Sequence, residues 1–138
     1  MSNCVWLPCR HTSGSELGKP ERGHFYALGT KFQLRRGVEY PALGIGIWET
    51  TLVVLVRDET RLPNWLPTGL FEIELDGLPS SWEFRVYDGR AASGGDALNR
   101  WVAIWSYRRL VRDETHRDGL IERDPEALRL FAAELDSQ

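Results

Sequence analysis

Cys4, Cys9, His11 and His24 bring both cysteines and two of the three histidines into the first 24 residues. Thiolate and imidazole are the ligands tetrahedral zinc prefers. The Cys-x4-Cys-x-His spacing, however, crowds the third ligand against the second, unlike the paired knuckles of structural zinc sites. These four are weak metal candidates, and the expectation is no metal and no cofactor. Arg10 and His11 beside Cys9 favour its thiolate, but no residue can be named that would orient it as a nucleophile.

Carboxylates offer a second chemistry. Glu49, Glu72, Glu74 and Glu83 could form a cluster, and paired acids cleave glycosides when burial raises the pKa of one of them. His116, between Glu114 and Asp118, is a candidate general base. A small hydrolase is therefore one reading. Against it, Arg85 is available to pair with the strand carboxylates, and the charges around His116 read as a solvated turn. Ser93-Gly94-Gly95-Asp96 is neither a nucleophile elbow, because Ala91 stands where glycine is needed, nor a P-loop, because no Gly-Lys-Ser/Thr follows.

Binding chemistry is better represented. The chain has six tryptophans in 138 residues. Trp65 stands between Pro63 and Pro67, whose fixed φ stiffens the segment, and a pre-ordered indole loses little entropy on binding. Trp65, Pro63 and Pro67, with the acidic Glu72 and Glu74, form the expected partner-binding surface. The alternative is a pocket for a small molecule or carbohydrate lined by Trp48, Trp82 and Trp105. Arg100, Arg108, Arg109 and Arg112 near the Trp-rich strand could hold single-stranded nucleic acid. The net charge of −3, and the nine acidic against four basic residues in 41–99, argue against nucleic acid and anionic membranes. The acidic middle suits a partner with a basic surface.

These side chains need elements to position them. Residues 1–24 are expected to be a flexible tail, because Thr12–Gly23 is rich in Gly, Ser, Glu and Pro. Residues 25–138 form a single β-rich domain. Phe32, Leu34 and Val38 suggest a first strand, ended by Tyr40-Pro41. Leu43–Trp48 reads as a second strand, where Gly44 and Gly46 imply a bulge or a close backbone approach. Thr51–Arg57 is apolar without interruption, as in a strand buried on both faces. Arg61–Gly69 reads as a loop.

Leu70–Tyr87 shows two alternating runs joined by Asp76-Gly77. They predict a hairpin with Phe71, Ile73, Leu75, Trp82, Phe84 and Val86 inward, and the glutamates and Arg85 outward. Trp101–Tyr107 is a further strand. Asp124-Pro125 is an N-cap followed by a first-turn proline, and Leu128, Phe131, Ala132 and Leu135 then make one apolar stripe, giving a helix over 125–136. The hexapeptide Leu-Val-Arg-Asp-Glu-Thr occurs at Leu55–Thr60 and at Leu110–Thr115, each copy expected to end a strand in a charged turn.

Strands first and a helix last give a mostly β, α+β domain. Its architecture is a small, partly open SH3-like or related barrel, or a strongly bent antiparallel sheet, with one C-terminal helix. Met1–Arg10 has no basic n-region followed by an apolar h-region, so a soluble cytoplasmic chain with reduced thiols is expected. The function that fits is a non-catalytic protein-binding domain, with a toxin-immunity or antitoxin-like role as its concrete form.

Overall fold

The computed structural model describes residues 4–17, 29–87 and 101–137. Six antiparallel strands form one sheet: β1 (Val5–Pro8), β2 (Glu39–Trp48), β3 (Thr51–Arg57), β4 (Pro63–Pro67), β5 (Glu83–Val86) and β6 (Trp101–Ser106). The main order is β4-β3-β2-β6-β5, and β1 pairs with the first residues of β2. The sheet is open, with edges at β4 and β5. Three helices follow it: α1 (Arg108–Arg112), α2 (Glu114–Glu122) and α3 (Pro125–Asp136). The fold is thus α+β and mostly antiparallel sheet, and α3 has two shorter helices before it.

β3 explains the layering. Its four central residues are fully buried, and they alternate between two cores. Val53 and Leu55 join Leu43, Ile104 and Tyr107 beneath the helices, where Leu110, Leu120, Phe131 and Leu135 pack. Val54 and Val56 face the other side, against Leu7, Cys9, Leu34, Tyr40, Leu70 and Phe71. Helices therefore cover one face, and the N-terminal strand with the segment after β4 covers part of the other.

Val5–Pro8 lies in the stretch expected to be a tail, yet it is a strand in register with Glu39–Ala42. Leu7 and Cys9 alternate into the second core, a local signal too short to stand out beside the polar run that follows. The boundary expected at residue 24 lies outside the described residues. Residues 32–38 are irregular, with a turn at 36–37, in place of the expected first strand, and β2 instead runs through Pro41.

Gly44 and Gly46 answer to two causes. The β2/β3 register shifts between Ala42 and Gly44. A Cβ on Gly44 would lie 2.7 Å from Ser106 Oγ, and one on Gly46 would lie 2.8 Å from the Trp101 ring. Pro63–Pro67, expected as a loop, is an edge strand, where a proline costs no interior ladder bond.

The Leu70–Tyr87 hairpin does not form. Phe71 makes a single bridge to Cys9, and the rest of the first run contains 3-10 turns. The second run, β5, pairs with β6 instead. Its facing is also the reverse of that expected. Glu83 turns to the helix side, where Arg108 and Arg112 of α1 hold its carboxylate at 3.0 and 2.8 Å. Phe84 and Val86 are therefore left on the outer face, about two-thirds exposed.

Candidate functional site

Two features stand out once each side chain is placed. The first is the uncovered part of the outer sheet face. The β3/β2, β2/β6 and β6/β5 registers align Leu52, Ile47, Ala103 and Val86 in one cross-strand row. Ile45, Trp105 and Phe84 continue the row that starts at the buried Val54. Cross-strand neighbours share a face, so this is one continuous apolar surface over four strands. Leu52, Phe84 and Val86 are each more than half exposed, and Trp105 more than a third. The Phe84 and Trp105 rings meet edge to face at 6.4 Å. β5 is also a sheet edge, and no hydrogen bond to its outer backbone occurs among the described residues.

The second feature is a cavity of about 300 Å³ on the helix side, between the β3–β4 edge and the C-terminal end of α2. Trp48, Trp65 and Trp101 form its aromatic walls. Trp48 meets Trp101 edge-on at 5.0 Å, and Trp65 tilts against Trp101 at 4.6 Å. Arg123, Asn64 and Pro63 supply its polar side. Arg123 sits just past α2 with a φ of 62°, and its guanidinium donates to Pro63 O and, at 2.5 Å, to Asn64 Oδ1. Asn64 Nδ2 in turn donates to Asp58 Oδ2 at 2.9 Å. The buried Asp58 also accepts from Thr60 N at 2.9 Å.

The expected partner-binding residues are not together. Trp65 is half-buried and leans inward on Trp101, and Pro63 and Pro67 are buried. Glu72 and Glu74 are exposed elsewhere, along a shallow groove with Glu39 and Trp6. Trp6, half exposed on β1, lies in the stretch expected to be a tail. Of the tryptophans expected to line a pocket, Trp48 does so. Trp82 is buried away from the cavity, and Trp105 lies on the open face. Trp65 and Trp101 complete the cavity instead. They come from β4 and β6, far apart in the chain, and no local spacing signals that meeting.

The candidate catalytic groups are dispersed too. Glu83 is ion-paired below the sheet, apart from the Glu72–Glu74 groove. The two arginines hold its carboxyl below the usual carboxylate range, with burial opposing them. His116 is only 3% exposed, not in a solvated turn, and its Nε2 lies 2.6 Å from Tyr107 Oη. Burial lowers its pKa from the ordinary value of 6.5. It does not line the cavity.

The metal candidates have separate partners. Cys9 is buried and its thiol donates to His11 O at 3.3 Å; burial raises its pKa. His11 Nδ1 lies 3.1 Å from Glu16 Oε2. His24, Ser93–Asp96 and Arg100 lie outside the described residues. Among the described residues, no three His, Cys, Asp or Glu side chains group as metal ligands, and no helix is long and apolar enough to cross a membrane. No protein family, characterised protein or solved structure matches the chain.

Proposed function

We propose that the chain is a non-catalytic protein-binding domain whose contact surface is the open β3-β2-β6-β5 face. One observation carries this reading: the apolar face spans four strands and ends in a strand whose outer backbone has no hydrogen-bond partner among the described residues. Monomeric proteins rarely leave a large contiguous apolar surface to water, and a free edge is a template for another strand. A partner would cover Leu52, Trp105, Phe84 and Val86 and extend the sheet at β5. This β-augmentation draws affinity from main-chain bonds and specificity from alternate side chains. The groove of Trp6 with Glu39, Glu72 and Glu74 adds an acidic surface suited to a basic partner. An immunity or antitoxin-like role is one form of such binding.

The test compares wild type with the double variant F84D/V86D, whose positions are already in water and carry little folding stability. Wild type is expected to capture one stoichiometric protein from its host that the double variant does not, while both melt within a few degrees of each other. Identical capture profiles for the two proteins, or none at all, would refute this surface as the binding face.

A further inference from the structure

The cavity is independent of that surface and supports a separate assignment. We infer that it binds a planar aromatic acid, with the ring against the indole walls and the carboxylate on Arg123.

Three observations converge on it. First, three indoles line the cavity and offer aromatic surface to a ring. Trp48 and Trp65 are held at different angles to Trp101, and offset or edge-on contacts are the arrangements aromatic rings favour. Gly46 leaves the space that the Trp101 ring occupies. A cavity of about 300 Å³ lies at the small end of ligand sites, which suits a one- or two-ring compound.

Second, the polar wall is built in advance and is positively charged. Asp58 fixes the Asn64 amide so that its oxygen meets Arg123. Arg123 has a left-handed backbone, a conformation that favours glycine at a helix end. A non-glycine residue there is a local expense that helix termination does not require. Its guanidinium has five N–H groups and contacts three oxygens: those of Pro63, Asn64 and Leu120. Among the described residues it has no carboxylate partner. Donors remain for an anion, and a cation is disfavoured despite the indole faces.

Third, Trp101 is 5% exposed and its Nε1–H has no acceptor among the described residues. Such buried donors usually have a partner. With the left-handed Arg123, two local costs fall around one cavity, a pattern associated with binding sites.

The experiment titrates the full chain with 2-naphthoate, followed by calorimetry and tryptophan emission. 2-Naphthylmethylammonium and uncharged 2-naphthol are the controls. The variant R123G removes the guanidinium while glycine keeps the left-handed helix end. R123K is a second variant that keeps a charge without the fork. Far-UV circular dichroism checks that each is folded. The expected result is saturable naphthoate binding with quenched emission, weakened at least about tenfold in R123G, with partial retention in R123K and a weaker response to the ammonium. No saturable naphthoate binding would overturn the assignment. So would equal affinity in wild type and R123G, or tighter binding of the ammonium.

Discussion

His116 shows how a single side chain is decided by its surroundings. The sequence surrounds it with Glu114, Thr115, Arg117 and Asp118, which suggests a solvated turn. In the fold it is the buried third residue of α2. Its backbone N–H donates to the Asp113 carboxylate, and its ring meets Tyr107. Its Nδ1 is buried without a partner among the described residues. Burial favours the neutral ring, Arg109 and Arg117 add to that effect, and Asp113 opposes it. Burial likewise pushes the Tyr107 phenol far up, so it remains protonated. A histidine kept neutral by folding takes its proton more readily in the unfolded chain. Stability is therefore full above the ordinary value of 6.5 and falls as pH drops from there toward the depressed folded value. Glu16 acts in a lower window. Thr12 N–H, His11 and Ser13 hold its pKa at about 2, so its contribution is lost only as pH falls from 4.5 toward that value. Urea midpoints should thus drop between about pH 7.5 and about pH 5.5, and H116Q should flatten that slope. An equal slope in H116Q would assign the loss to another group. Gly46 makes a second residue-scale test. G46A must displace the Trp101 ring or strain against Ala103 O, 3.2 Å from the added Cβ. Overpacking of this kind costs about 1–3 kcal/mol, measurable by urea unfolding, and should shift tryptophan emission.

Elements depend on what they meet, and the repeated hexapeptide is the clearest case. Leu55–Thr60 ends β3 in a turn, whereas Leu110–Thr115 spans the end of α1 and the start of α2. The expectation of two strand ends was right for the first copy alone. Leu55, Val56, Leu110 and Val111 are all buried, so hydrophobicity does not separate the two copies. The flanks do: Thr51–Val54 extends the first as a strand, and Arg117–Glu122 extends the second as a helix. The aspartate does related work in both. Asp58 caps the backbone of Thr60, and Asp113 caps that of His116. D113A should cost about 1 kcal/mol, the usual value of an N-cap. D58A should cost more, about 2–4 kcal/mol, because a buried acceptor serving Thr60 and Asn64 disappears and leaves donors unpaired. Thermal or urea unfolding of the two variants ranks them, and an equal loss would contradict the difference in burial.

β3 and α3 were legible to the residue, since an unbroken apolar run and the Asp124-Pro125 cap are local signals; Asp124 indeed accepts from Ala127 N. β5 was expected as a strand, but its partner and facing were not legible, because alternation gives a period and not a partner. Which face turns inward was decided by Arg108 and Arg112, more than twenty residues away. The cavity was legible only at Trp48 and in the aromatic character of the chain.

At the scale of the molecule, one strand joins two cores. Val53 and Leu55 serve the helix side, and Val54 and Val56 the N-terminal side. β3 is hydrogen-bonded to β2 on one flank and β4 on the other, so neither core can open fully without disturbing it. Separate layers would unfold separately; layers sharing a central strand should unfold together. The structure places suitable probes on each side. In a background with Trp6, Trp82 and Trp105 replaced by phenylalanine and Cys4 by serine, Trp48, Trp65 and Trp101 report the helix side through their emission, while Cys9, buried in the other core, reports its opening through thiol labelling. Both signals should change with one urea midpoint, as two-state behaviour requires. L55A and V54A remove apolar volume from opposite cores, and truncation of a buried leucine costs about 2–5 kcal/mol. Each should lower both midpoints together, although each touches only one core. If V54A advanced Cys9 labelling and left the tryptophan transition in place, the two layers would be separate cooperative units. β3 would then be a boundary between them and not a shared support.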